Sequence, residues 1–135
     1  MASSAGVAGA LAVAVGSALG GVGRFWVAAA VNRRLGEAFP WGTLVVNVTG
    51  ALLAGVLAAV LAATGGGFAT LEGLLLIGFC GSYTTVSSFA LQTYTLARTG
   101  SGVRAVGNIA ATLALTLAGA WAGLQAGAWI AGGGP

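Results

Sequence analysis

Apolar residues dominate four long runs of the chain, and short stretches rich in glycine, proline or charge separate them. The runs cover about residues 6–31, 42–63, 71–97 and 105–131. A helix that crosses a bilayer needs about 20 mostly apolar residues, because each adds about 1.5 Å and the hydrocarbon core is about 30 Å thick. The pattern therefore predicts an all-α integral membrane protein, with residues 1–135 forming one domain of four transmembrane helices.

Composition supports this prediction and excludes several classes of function. The chain is 58% hydrophobic and 5% charged, with a mean hydropathy of +0.99, whereas soluble domains carry about 25% charged residues. Its five arginines are scattered, so nucleic acid is not an expected partner, whereas the lipid bilayer is. The chain has no His, and its one cysteine, Cys80, cannot form a multi-cysteine metal site. Without a group to activate Ser, Thr or Cys, no enzyme is expected.

Glycines four residues apart mark possible helix-packing faces. Gly16 and Gly20 lie in the first run, and Gly119, Gly123 and Gly127 lie in the fourth. In lipid, small residues let helix backbones approach closely. We therefore expect these positions to face neighbouring helices.

The arginines are distributed unequally between the two sides of a four-span topology. The connections at residues 31–41 and 98–104 share one side and carry Arg33, Arg34, Arg98 and Arg104, whereas the opposite side has no Arg or Lys. Because basic loops stay inside, both connections are predicted to be cytoplasmic and both termini outside. The sequence thus predicts a multi-pass protein of the inner (plasma) membrane, with a strong bias towards one orientation.

The centre of the third run concentrates small polar groups in the stretch "GFCGSYTTVSSFALQT", residues 78–93. Its two glycines and clustered hydroxyls lie near the bilayer midplane and favour a helix break. Backbone carbonyls freed by such a break are tolerated where they face a protein-lined site, and they are suitable ligands for a small cation such as Na⁺. The stretch therefore predicts a break in the third helix.

Neutral donors dominate the polar residues within the predicted spans. Arg24 is the only strongly ionisable side chain away from a membrane boundary, so a proton-coupled exporter, which usually needs a buried titrating group, is disfavoured. Ser and Thr can instead bond their own helix carbonyls, and Asn47 can join two helices. The donors as a set favour a site or pore for a small ion, and an anion in particular. They are Asn47, Thr49, Ser82, Tyr83, Thr84, Thr85, Ser87, Ser88, Asn108, Thr112 and Thr116.

Three motifs, in order along the chain, resemble those of the Fluc (CrcB) fluoride channel family. "GSALGGVGRFWVA" resembles its first-helix glycine motif, which ends in arginine and an aromatic residue, with Arg24 at the arginine. "WGTLVVNVTGALLAG" resembles its second-helix motif "GTLxVNxxGxFxxG". The third-run stretch resembles "GFCGGxTTFSTFxxE". The resemblance covers almost the whole chain.

The resemblance implies an antiparallel dimer of four-helix subunits that lets fluoride leave the cytoplasm passively, which gives fluoride resistance. It also implies a central, structural Na⁺ that is not transported, held by backbone carbonyls that map to Gly81 and Thr84. Asn47 matches the pore asparagine, and Arg24 is expected in a structural or interface role. The full expected pore lining is Asn47, Thr85, Val86, Ser88, Phe89, Asn108, Thr112 and Thr116.

Val86 departs from the family pattern, and this departure leaves more than one assembly and more than one function open. The family lines its pore with two phenylalanines; Phe89 matches the second, whereas Val86 replaces the first and lacks an electropositive ring edge. Asn108 similarly occupies a fourth-helix tyrosine position. Together with the one-sided arginines, Val86 leads to the hypothesis of a heterodimer with an oppositely oriented homologue, as an alternative to a homodimer. A non-conducting subunit and a proton-coupled exporter are the remaining alternatives.

Overall fold

The computed structural model describes residues 4–65 and 69–133, and the described residues form four membrane-length helical spans. The first span is α1, Ser4–Leu35, and the second is α2, Trp41–Ala63. The third runs from Ala69 to Arg98 in two halves. Its first half, residues 69–83, is called α3 and comprises the α-helical turn Ala69–Glu72, the π-helix Gly73–Cys80 and the turn Gly81–Tyr83. Its second half is α4, Val86–Arg98, and the fourth span is α5, Gly102–Ile130.

Glycines end all four spans. Gly36, Gly65, Gly100 and Gly132 have φ values between 77° and 84°, and each lies one or two residues beyond a span. A left-handed residue at this position turns the chain so that its amides can bond the last free helix carbonyls. The Gly36 amide, for example, donates to the Asn32 carbonyl at 2.9 Å. The predicted spans agree with these boundaries, except that α1 continues about one turn further, to Leu35.

The packing faces predicted from the glycine spacing are confirmed. A Cβ atom on Gly123 of α5 would overlap the Leu52 carbonyl of α2, and one on Gly127 would lie 2.5 Å from the Val56 carbonyl. In α1, Cβ atoms on Gly16 and Gly20 would overlap carbonyls of α3. Two backbone-close helix pairs, α2–α5 and α1–α3, therefore hold the fold together.

Large apolar side chains point outward over much of the surface. Leu11, Trp26, Leu117, Trp129 and Val103 are all more than 60% exposed, whereas the buried hydrophobic residues are few and mostly small. This distribution suits hydrocarbon as the surrounding solvent, since lipid tails offer no reason to bury such groups. The chain is therefore a multi-pass membrane protein.

The third span breaks within the expected stretch, and the extended residues there are threonines rather than glycines. Thr84 has φ −75° and ψ 159°, and Thr85 has φ −151° and ψ 124°, so both are extended. Gly78 and Gly81 remain helical. At Gly78 the missing side chain serves packing instead, because a Cβ atom there would lie 2.7 Å from the Val13 carbonyl of α1.

Candidate ion pathway at the broken third span

Asn47 holds the break from α2 with both ends of its amide. Its Oδ1 accepts the Thr85 N–H at 2.7 Å, and its Nδ2 donates to the Thr85 carbonyl at 2.9 Å. Both residues are buried, with 8% and 7% of their surfaces exposed. An unpaired buried backbone group costs about 1–3 kcal/mol, so this side chain replaces the two helical bonds that an extended Thr85 gives up. Asn47 therefore joins α2 to the third span, as one interpretation of the sequence allowed, and it does so through the backbone of Thr85.

Thr85 then starts α4 as its N-cap. Its Oγ1 accepts the Ser88 N–H at 3.2 Å and lies 3.1 Å from the Ser87 hydroxyl. The Thr85 hydroxyl itself donates to Ser88 Oγ at 3.2 Å. Threonine is favoured at this position because its oxygen satisfies an amide that has no helical partner. Part of the hydroxyl cluster in the sequence therefore caps the N-terminus of α4.

The break redirects the amides that would otherwise cover two particular carbonyls. In a continuous helix the Thr85 amide would bond the Gly81 carbonyl, but it bonds Asn47. The Ser88 amide would likewise bond the Thr84 carbonyl, but it bonds Thr85 Oγ1. These carbonyls belong to the two residues expected to hold Na⁺. A Cβ atom on Gly81 would meet nothing within 4 Å, so open space adjoins this residue.

Carbonyl oxygens of this kind fit a small hard cation. The described residues contain no group of three or more His, Cys, Asp or Glu side chains that could hold a metal ion. A cation at this depth would therefore need backbone oxygens, as the freed carbonyls of Gly81 and Thr84 provide. Backbone oxygens of this kind are chemically suited to a hard cation such as Na⁺.

A cleft of about 370 Å³ brings together six of the eight expected pore residues. It runs along α2, α4 and α5 and starts at the break. Its walls are largely apolar, with Phe89, Val86 and Leu113 beside the threonine and asparagine groups. We call it the Phe89 cleft; the expected residues in it are Asn47, Thr85, Val86, Phe89, Thr112 and Thr116.

A second cleft, of about 580 Å³, opens on the other side of the break. Thr85 and Ser88 lie in its wall, Arg24 lines it, and Arg33 and Glu37 line it at the end of α1. Arg24 follows Gly23, whose Cβ atom would lie 3.6 Å from the Tyr83 ring, so this arginine is at the level of the break. A charged residue at such depth is expected to face a wet cavity. We call this space the Arg24 cleft; Thr85 lines both clefts.

Asn108 lines neither cleft. It is 2% exposed and donates to Thr93 Oγ1 of α4 at 2.8 Å, and Thr93 in turn donates to the Phe89 carbonyl at 2.7 Å. The polar stripe expected on the fourth span is therefore divided. Asn108 ties α5 to α4, whereas Thr112 and Thr116 reach the Phe89 cleft.

Two features of the site are not apparent from the sequence. Tyr83 and Thr49 were recognised only as neutral donors, but their hydroxyls pair at 3.1 Å beside the break. Gln92 lines the Arg24 cleft, and its Oε1 is buried without a hydrogen-bond partner among the described residues. No local pattern indicates either feature, because both depend on which helices meet at the break.

Comparison with known proteins decides the family. The model of the family described as "CrcB-like protein, Camphor Resistance (CrcB)" matches residues 11–124. The chain belongs to the CrcB family. The matched CrcB region includes both halves of the third span and every expected site residue, from Arg24 to Thr116.

Curated CrcB-family relatives resemble the chain over most of its length. The chain is 51% identical to "Fluoride-specific ion channel FluC 2" of Bradyrhizobium diazoefficiens over 114 residues, which are 83% of each chain. It is 50% identical to "Fluoride-specific ion channel FluC 2" of Rhodopseudomonas palustris, over 82% of this chain and 86% of the relative. It is 44% identical to "Fluoride-specific ion channel FluC" of Methylocella silvestris, with the same two coverages.

Proposed function

We propose that this chain forms a fluoride channel through which fluoride leaves the cytoplasm passively, down its own gradient. The observation that carries the proposal is the identity of 44–51%, over 82–83% of the chain, to relatives named fluoride-specific ion channels. The same names agree with the expectation that the chain is not an enzyme. They do not favour a non-conducting subunit or a proton-coupled exporter.

The site supports the proposal because it offers neutral donors in a partly apolar wall. A small halide is strongly hydrated, so a pathway must replace its water without binding it as tightly as a fixed charge would. The Thr112 hydroxyl and the edge of the Phe89 ring can do this in the Phe89 cleft, and the Thr116 hydroxyl can do so once it turns away from the Thr112 carbonyl to which it donates. Arg24 adds a positive charge in the other cleft, which raises the local anion concentration.

Fluoride efflux from liposomes tests the function. Purified protein is reconstituted into vesicles loaded with potassium fluoride, and valinomycin is added while an external electrode measures fluoride. We expect rapid fluoride release and no comparable chloride release from matched vesicles. Equal release of both halides, or none above empty vesicles, would contradict the proposal.

A structural Na⁺ at the break is part of the proposal. The carbonyls of Gly81 and Thr84 would hold it, and it would supply a fixed positive charge without itself being transported. The redirected amides of Thr85 and Ser88 support this assignment. Fluoride efflux should fall when Na⁺ is replaced on both sides by N-methylglucamine and should recover when Na⁺ returns.

An antiparallel dimer in the inner membrane completes the proposal. Val86 is 79% exposed beside the buried break, and no residue of α4 is fully buried, so a second subunit has a surface to cover. The four arginines on one side of the membrane favour a fixed orientation with the 31–41 and 98–104 connections in the cytoplasm. A fixed orientation would require an oppositely oriented homologue as partner, whereas insertion both ways would allow a homodimer.

Two measurements separate these partners. Cysteines introduced as Glu37→Cys and Thr64→Cys, in a Cys80→Ala background, lie at opposite ends of α2. If the orientation is fixed, a maleimide that cannot cross the inner membrane should label only Thr64→Cys. The labelling uses cells whose outer membrane has been permeabilised and whose inner membrane is intact. Equal labelling of both sites, together with full fluoride flux from the chain purified alone, would favour the homodimer.

A further inference from the structure

Tyr83 is the last helical residue before the break, and its side chain is buried, with 8% exposed. Its Oη lies 3.1 Å from Thr49 Oγ1 in α2. The Thr49 hydroxyl donates its one proton to the Val45 carbonyl at 2.7 Å, so Tyr83 must be the donor in the pair. The bond therefore runs from the end of α3 to α2.

The Tyr83 ring is also held by its neighbours. It stacks on the Phe79 ring with centroids 5.6 Å apart and planes 9° from parallel. At Gly50 of α2, a Cβ atom would lie 3.0 Å from the ring and would overlap the Thr84 methyl group. At Gly23 of α1, the corresponding distance to the ring is 3.6 Å. The chain has thus made room for a tyrosine between α1 and α2 at the level of the break.

One short segment of α2 consequently holds both sides of the break. Asn47 binds the backbone of Thr85, after the first extended residue, and Thr49 binds Tyr83, before it. The two α2 residues are two positions apart, so the rigid helix sets the separation of the two chain ends that it holds. Thr84, whose carbonyl is freed, lies between these two attachments.

We propose that Tyr83 is a positioning residue: through its bond to Thr49 it sets the geometry of the Gly81 and Thr84 carbonyls and hence their affinity for the cation. This inference rests on the proposed Na⁺ site. Tyr83 itself does not contact fluoride or the cation. Its effect is on how well the two carbonyl oxygens are prepared to receive the ion, and preorganised ligands bind more tightly than ligands that must be ordered.

The test measures binding of radioactive Na⁺ to the purified protein, and fluoride efflux from liposomes, each as a function of Na⁺ concentration, with N-methylglucamine as the replacement. Tyr83→Phe keeps the ring and leaves Thr49 bonded to Val45, so only the inter-helix bond is lost. We expect the half-maximal Na⁺ concentration to rise about two- to tenfold, the range that one neutral hydrogen bond gives. Efflux at saturating Na⁺ should equal that of the wild type. Tyr94→Phe is the matched control, because Tyr94 is exposed and its hydroxyl bonds only Arg98 among the described residues.

Substitutions at Thr49 test the same hydrogen bond independently, from the side of its acceptor. Thr49→Val removes the acceptor and should also raise the half-maximal Na⁺ concentration, whereas Thr49→Ser keeps the hydroxyl and should restore the wild-type value. The double variant Tyr83→Phe with Thr49→Val should shift no more than the larger single effect, because both changes remove the same bond. If Tyr83→Phe does not fold, the Thr49 pair alone decides the question.

The outcomes distinguish the inference from the function on which it rests. Wild-type efflux that depends on Na⁺, with an unchanged half-maximal concentration in Tyr83→Phe and Thr49→Val, would overturn the positioning role. Wild-type efflux that is independent of Na⁺ would overturn it as well, but would leave fluoride conduction intact. No fluoride efflux at any Na⁺ concentration would overturn both.

Discussion

Replacing Asn47 with leucine tests whether the break is held by this side chain. Leucine is branched at Cγ like asparagine, but it is larger and offers no hydrogen bond. In Asn47→Leu both backbone groups of Thr85 lose their partners at 2.7 and 2.9 Å, and the site is buried. We expect the third span to respond by closing the break, because a continuous helix would return the Thr85 amide to the Gly81 carbonyl.

The magnitude follows from the two lost bonds. An unsatisfied buried backbone group costs about 1–3 kcal/mol, so the broken form loses about 2–6 kcal/mol relative to the wild type. A difference of 1.4 kcal/mol changes a population ratio tenfold, so even the lower limit lowers the ratio of the broken to the continuous form about 30-fold. Fluoride efflux from liposomes should therefore fall, by up to the same factor where the two forms are close in free energy. Gln125→Leu makes a comparable change at an exposed site on α5 and should conduct like the wild type.

A distance measurement shows whether the helix has closed. Spin labels are attached at Ile77 and Leu91, which are 61% and 65% exposed, in a Cys80→Ala background. Two extended residues advance the chain about 3.3 Å each and helical residues about 1.5 Å, so closure shortens the path by about 3.6 Å. Reduced efflux with an unchanged label distance would refute the reasoning, because Asn47 would then act on the ion directly. Unchanged efflux would refute both the role of Asn47 in holding the break and a direct action of Asn47 on the ion.

Three further predictions concern packing, charge and the pore wall. Gly123→Ala should lower stability by about 1–3 kcal/mol in thermal unfolding, since its Cβ atom would overlap a carbonyl of α2, whereas Gly107→Ala, which faces open space, should be neutral or slightly stabilising. Arg24→Gln should slow fluoride efflux more at low than at high ionic strength, because salt screens the lost charge; equal slowing at both would argue for a packing role. Val86→Phe should raise efflux from the chain purified alone by adding a ring edge, and the exposed site Val103→Phe should not.

The spans were predictable because bilayer thickness imposes a length that few other structures need. All four predicted runs agree with the helices to within about one turn. The largest difference is at α1, where the chain stays helical through Arg33 and Arg34 to Leu35. Charged residues are compatible with a helix that has already left the hydrocarbon, so hydropathy alone places the end of the helix too early.

The break and the stretch that contains it were predictable, but the exact residues that become extended were not. Gly78 and Gly81 suggested it, yet both are helical, and Gly78 serves the close contact with α1. The position depends instead on Asn47, which lies 38 residues away in sequence from Thr85. A long-range contact of this kind leaves no local signal. The same reason explains why the pairing of Tyr83 with Thr49 could not be predicted.

The Arg24 cleft also affects how an ion experiences the transmembrane voltage. It extends from Arg33 and Glu37 at the end of α1 to Thr85 at the break, so water and salt that fill it would carry the electrical potential of that compartment deep into the protein. Moving one elementary charge through a full 100 mV changes its energy by about 2.3 kcal/mol. Most of that change would then occur over the part of the path beyond Thr85. In the proposed channel, membrane voltage would therefore act on the ion chiefly beyond Thr85, and much less along the mouth of the cleft.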